Sequence, residues 1–188
     1  WVPTIEAVAE RKESLVTRLA EFIAERDRLN APAYLGVHQR LDGATSGVVL
    51  FTKTERYNKA RSEHFATAKQ TAETPGRSGI EKIYVALTTK APPLGRLTHQ
   101  VKHQKGRTLV AEAHASTPAS ELAELEILSA VPKGAYCEVT VRLITGKTHQ
   151  IRAQLSHIGC PIAGDLIYGG PPFFRMMLHA LRLTITLP

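Results

Sequence analysis

Asp42 is the acidic residue best situated for chemistry. It stands in the polar segment Val37-His-Gln-Arg-Leu-Asp-Gly-Ala-Thr-Ser-Gly47, directly before the apolar run Val48 to Phe51, and a loop mounted on rigid structure can present a reactive carboxylate. An Asp in a turn more often bonds its own backbone, and the local sequence favours that plainer role. Tyr84, in an alternating apolar stretch, reads by itself as a strand aromatic, and Arg152, in a helical stretch, as a solvated cation. Gly146-Lys147-Thr148 has the outline of a phosphate loop, yet Val141 stands where that loop needs its first glycine. His149 and His157 are not part of a His-Glu-x-x-His pattern, and His38, His99, His103, His114 and His179 are scattered, so no metal site is expected. Ser46 follows Ala44 and Thr45 rather than a glycine two positions earlier, which removes the nucleophile elbow of a hydrolase.

Such residues need elements to hold them. The spacing of Leu15, Val16, Leu19, Phe22 and Ile23 predicts a helix over residues 11–28, ended by Asn30 and Pro32, with its apolar stripe in the core. Val48 to Phe51 reads as a short strand buried on both faces. Thr54 caps a second helix bearing Tyr57, Ala60, His64, Phe65 and Ala68 on one face, and residues 71–80 form a connector. In the next strand Ile83, Val85 and Leu87 alternate with Tyr84 and Ala86, so Tyr84 is expected to point away from the apolar side. Residues 92–120 lack clear periodicity but suit a hairpin turning at Lys105-Gly106. Tyr136 to Thr145 alternates strictly, Cys137, Val139, Val141 and Leu143 against Glu138, Thr140 and Arg142, as a strand with one solvated face requires. Thr148 is positioned to cap a helix carrying Ile151, Leu155 and Ile158, with Gly159 and Pro161 as stop signals and Arg152 beside the buried face.

The chain has 188 residues, 43% of them apolar, which suits one core and a single domain over residues 1–188. Lys plus Arg outnumber Asp plus Glu by 24 to 17, a net charge of +7 spread over the length, which fits a polyanionic partner. Cys137 and Cys160 are too far apart for a Cys-x-x-Cys pair, and the N-terminal stretch is too charged for a signal peptide. No stretch reaches membrane-spanning length, so a cytoplasmic protein free of metal and membrane is expected. The start at Trp1 and the end at Pro188, directly after a strand-like run, suggest a fragment.

Two separated segments change the weight given to Asp42. Arg40-Leu41-Asp42-Gly43-Ala44-Thr45-Ser46-Gly47 resembles the Arg-Leu-Asp-x-x-Thr-Ser-Gly motif of RluA-type pseudouridine synthases. Gly146-Lys-Thr-His-Gln-Ile-Arg152, continuing to Gly164-Asp165 and Tyr168-Gly169, is similar to that family's Gly-Arg-Thr-His-Gln-Ile-Arg block and its Gly-Asp-x-x-Tyr-Gly end. Lys82-Ile-Tyr84-Val-Ala86 looks like its Lys-x-Tyr-x-Ala strand, and Leu178-His179-Ala180 like its Leu-His-Ala segment.

The resemblance implies an isomerase that converts uridine to pseudouridine within RNA, in ribosomal RNA in preference to transfer RNA, with no cofactor and no metal, acting as a monomer. Asp42 is then the catalytic residue, with Arg152 paired to it and Tyr84 stacked on the uracil. Arg40 would fill the space left by the flipped base, and Thr45, Lys147 and His149 would contact the substrate. A neighbouring guanidinium favours the ionised carboxylate that such a role needs. The implied fold is α+β, a mixed and mostly antiparallel sheet flanked by helices, with the Asp42 loop, the Tyr84 strand and the start of the Arg152 helix meeting at a basic cleft.

There are departures from the family pattern. Gln39 separates His38 from Arg40, so no role passes to His38, and Lys147 replaces the usual Arg, keeping the charge but losing the planar fork. The family's upstream Lys-Pro-x-Gly turn has no counterpart, so a sheet incomplete at its N-terminal end is expected. Two other readings compete: a non-catalytic RNA-binding relative, and a glycosidase with Asp42 and Asp165 as its carboxyl pair across a sugar-sized cleft.

Overall fold

The structure, a computed structural model, describes residues 14–55, 80–113 and 120–185. The expected helix after Thr54, with His64, and nearly all of the 71–80 connector lie outside them. The chain falls into two compact units, one of residues 1–44, 48–79 and 187–188, the other of residues 45–47 and 80–186.

In the first unit, helix α1 runs Leu15–Arg26. Ser14 caps it by accepting a hydrogen bond from the Thr17 amide at 3.1 Å, relieving one of the unpaired N–H groups of the first turn. The expected stripe is only partly core: Ala20 and Ile23 are buried, whereas Leu15 and Phe22 are exposed. Strands β1 (Gly36–Val37) and β3 (Phe51–Thr52) pair antiparallel. Val48 to Phe51 is therefore not a strand buried on both faces. Val48 is exposed, and the extended backbone divides between β2 (Ser46–Gly47), which belongs to the other unit, and β3.

The second unit is built on a seven-stranded sheet ordered β2-β9-β4-β8-β7-β5-β6. Its strands besides β2 are β4 (Ile80–Thr88), β5 (Gly95–Gln104), β6 (Arg107–Glu112), β7 (Glu121–Lys133), β8 (Tyr136–Leu143) and β9 (Leu178–Ile185). Only β2 and β9 run parallel, and every other pair is antiparallel. With α1 and helix α2 (Gln150–His157) this is the expected α+β architecture. The β5–β6 turn falls at Lys105-Gly106, both at positive φ, the geometry that matches the twist of a two-residue hairpin.

One face of this sheet carries the core. Alternate residues Ala123, Leu125 and Ile127 of β7, Cys137, Val139 and Val141 of β8, and Leu178 and Ala180 of β9 are all buried. Helix α2 covers that face with Ile151 and Leu155, and Gln154 reaches from it to the Ala123 carbonyl. Tyr84 belongs to the same face, contrary to the alternation read from sequence. Tyr84, Ala86 and Thr88 are buried opposite Val141, Val139 and Cys137, while Val85 and Leu87 are half-buried. Pairing with β9 slips between Ile83 and Tyr84, but the extra residue is Leu181 of β9, and β4 keeps its regular register with β8, so Ile83 and Tyr84 are buried on opposite faces of the sheet.

Candidate active site

The Thr-Ser-Gly part of the first motif is a mount on the sheet. Gly47 lies against Ala180 in the parallel β2–β9 pair at φ 128°, and a Cβ there would fall 2.3 Å from the Ala180 carbonyl oxygen. No other residue fits so close a backbone approach without displacement. Ser46 Oγ lies 2.8 Å from His179 Nδ1 and accepts from Arg175 Nη1 at 3.2 Å. The Ser46-Gly47 and Leu178-His179-Ala180 segments, 130 or more residues apart in sequence, are thus two sides of one joint. Thr45 beside them is buried, and among the described residues its Oγ1 has no hydrogen-bond partner.

Asp42 and Arg40 lie in the first unit, on the loop between β1 and β3. Asp42 is half-buried just before a turn at Gly43-Ala44, and Arg40 is exposed. The loop is braced across its base: Gln39 Nε2 donates to the Val48 carbonyl at 3.1 Å, and His38 Nε2 lies 3.0 Å from Thr52 Oγ1. The residues that depart from the family pattern here, His38 and Gln39, therefore hold the loop closed.

The second motif is organised by Gln150, which is 2% exposed. Its Oε1 accepts from Thr145 Oγ1 at 2.8 Å and from the Lys147 amide at 3.0 Å, and its Nε2 donates to the Glu124 carbonyl at 3.0 Å. These bonds tie the loop to β7 and prepare the helix start. Thr148 does not cap the helix as expected. His149 takes the cap position in the left-handed conformation, φ 53°, and makes no side-chain cap bond. Lys147 ion-pairs with Glu121.

Arg152 is buried in the first turn of α2. Its Nε donates to Asp165 Oδ2 at 2.6 Å and its Nη2 to Asp165 Oδ1 at 2.8 Å, with both side chains 5% exposed or less. The fork fixes the guanidinium plane, as a bidentate carboxylate does. Its carbon also sits 5.0 Å from the centre of the Tyr168 ring. Tyr168 in turn accepts at its hydroxyl from the Thr108 amide at 2.7 Å and lies 3.0 Å from His149 Nδ1. Local spacing assigns Asp165, Tyr168, Gln150 and Thr108 no supporting role. The Gly-Asp-x-x-Tyr-Gly end marked the first two, whereas Thr108 lies in a stretch without usable periodicity. Asp165, with both oxygens engaged by a buried arginine, is not a carboxyl on an open cleft, which counts against the glycosidase reading. Among the described residues no group of three or more acidic, His or Cys side chains is arranged to hold a metal ion.

Residues 7–157 match the family described as RNA pseudouridylate synthase. The chain is 30% identical over 159 residues to RNA pseudouridine synthase 2, chloroplastic, of Arabidopsis thaliana, covering 79% of this chain and 34% of that protein. It is 32% identical over 186 residues to ribosomal large subunit pseudouridine synthase D of Pseudomonas aeruginosa, covering 86% of this chain and 52% of that protein. The chain thus spans between about a third and a half of the length of these relatives. Among solved structures, human RNA Pseudouridylate Synthase Domain Containing 4 superposes with a TM-score of 0.71 over 98% of this chain and 77% of that one at 18% identity, a likeness of fold. With the family match running over both the Asp42 loop and the Arg152 helix start, this chain belongs to the RNA pseudouridylate synthase family.

Proposed function

We propose that this chain is the catalytic part of an RNA pseudouridine synthase, an isomerase acting on uridine in structured RNA. The bond from the ribose C1′ to uracil N1 breaks, the base turns, and C1′ bonds to C5. C5 loses a proton and N1 gains one, so the RNA keeps its composition. The family match across residues 7–157 carries this reading, because that span holds Asp42, Tyr84 and Arg152 together.

The finer roles follow from the motifs. Asp42 is the catalytic carboxylate, Arg152 its charge partner, and Tyr84 the ring that stacks on the uracil. The base must leave its stack to be reached, and Arg40 fills the space it vacates. Thr45, Lys147 and His149 contact the substrate. The name of the Pseudomonas relative, which refers to the large ribosomal subunit, favours ribosomal RNA over transfer RNA. The reading extends to a monomer that works in the cytoplasm without metal or cofactor.

The test compares pseudouridine in RNA from cells with the gene, without it, and with Asp42→Asn in its place. Loss of the same pseudouridine in the last two is expected. Unchanged pseudouridine throughout would overturn the reading.

A further inference from the structure

The β5–β6 hairpin carries a cationic tip that the roles above do not use. β6 is the edge strand of the sheet. His103, Gln104, Lys105, Gly106 and Arg107 at the tip are exposed, and no acidic residue lies between Val101 and Val110. Arg107 is not a loose surface cation. Its guanidinium carbon sits 5.5 Å from the centre of the Tyr168 ring, and among the described residues no carboxylate lies within ion-pair distance of it.

The tip is fastened to the Arg152 segment from beneath. Buried Thr108 donates its amide to Tyr168 Oη at 2.7 Å and its hydroxyl to the Thr148 carbonyl at 2.6 Å. His103 Nδ1 lies 3.2 Å from Thr108 Oγ1, and the His103 and His149 rings meet edge to face at 5.9 Å. Tyr168 therefore has Arg107 and Arg152 both against its ring. A guanidinium already ordered on an aromatic ring loses less freedom on binding than a free side chain, and its planar fork matches phosphate.

We propose that this tip is a clamp for the RNA backbone, in which Arg107, flanked by Lys105 and His103, holds phosphates of the substrate strand beside the segment that carries Arg152. The inference rests on the RNA-modifying function proposed above and adds a surface to it. RNA is favoured over an acidic protein because the exposed Lys105 and Arg107 stand beside the exposed His103 ring, a combination that suits a polymer alternating phosphates and bases.

The test measures binding of the whole chain to a labelled stem-loop RNA, with uridines in its loop, across a sodium chloride titration. For Arg107→Ala combined with Lys105→Ala, affinity at low salt should fall about tenfold or more. The slope of log affinity against log salt should become shallower by about 0.7 to 0.9 for each phosphate that is no longer neutralised. Thermal unfolding should be unchanged, because Thr108 and Tyr168 keep their bonds, and Arg107→Lys should restore most of the slope. If the parent chain binds RNA and the double variant matches it in affinity and slope, the clamp is overturned while the proposed function stands. If the parent chain neither binds RNA nor forms pseudouridine, both fall. Competition by polyglutamate as effective as unlabelled RNA would overturn the assignment to RNA.

Discussion

Arg152 shows how much one buried pair can demand of its neighbours. A guanidinium removed from water needs a countercharge and filled hydrogen-bond positions, and Asp165 supplies both in a bidentate fork. Asp165→Ala removes the bidentate partner of that buried charge and should cost about 3 to 5 kcal/mol, read from denaturant unfolding. Replacing the pair together, Arg152→Met with Asp165→Leu, should recover most of the stability, since apolar residues of similar volume often substitute for buried ion pairs at little cost. It should not recover pseudouridine formation. A double variant that modified RNA at the parent rate would remove Arg152 from the chemistry.

Elements are joined at few points, and two joints bear on the site. At β2–β9, Gly47 permits a backbone approach that any side chain would block. Gly47→Ala should destabilise the chain by about 2 kcal/mol or more and depress activity further than stability, because the displaced strand continues into the Asp42 loop. Comparing the unfolding midpoint with the rate of modification separates the two effects. At the hairpin, Thr108→Val deletes the donor to the Thr148 carbonyl. Thr148 is exposed, so water can take the donor's place, and the loss should be that of one ordinary hydrogen bond, about 0.5 to 1.5 kcal/mol in unfolding measurements.

For the molecule as a whole, net charge and pH act together. The excess of seven positive charges suits a polyanionic partner and makes binding sensitive to salt. His99, 6% exposed, joins β5 to α2: Gln154 Nε2 lies 2.9 Å from its Nδ1, and that amide also donates to the Ala123 carbonyl of β7. Burial, aided by the charge of nearby His157 and opposed by Glu112, holds the His99 ring below the usual histidine pKa. The neutral ring is thus favoured in the fold, and the unfolded chain binds the extra proton. Its contribution to stability is fully present above the unfolded pKa of about 6.5 and is lost as the pH falls through the folded value. Unfolding midpoints measured from about pH 7.5 down to pH 5 should decline, and less steeply in His99→Gln. Equal declines would show that His99 does not set this dependence.

Periodicity and motif spacing determined a good deal by themselves. The strict alternation of Tyr136 to Thr145 predicts the strand that forms β8 at Tyr136–Leu143, the spacing of Leu15, Val16, Leu19, Phe22 and Ile23 predicts the helix that forms α1 at Leu15–Arg26, and Lys105-Gly106 predicts the hairpin turn, because these patterns record local backbone geometry. The two motif blocks pointed to the family, since a chemical site constrains residue types wherever the chain runs. Tertiary structure decided the rest. Tyr84 went to the covered face because the β4–β8 register sets it opposite Val141, and alternation marks two faces without saying which is covered. Val48 to Leu50 joined no strand, because the pairing partners took Ser46-Gly47 before them, where Gly47 approaches Ala180, and Phe51-Thr52 after them. Asp165, Tyr168 and Thr108 became the support of Arg152 and Arg107 only through contacts between segments distant in sequence, a matter of proximity that no local pattern encodes.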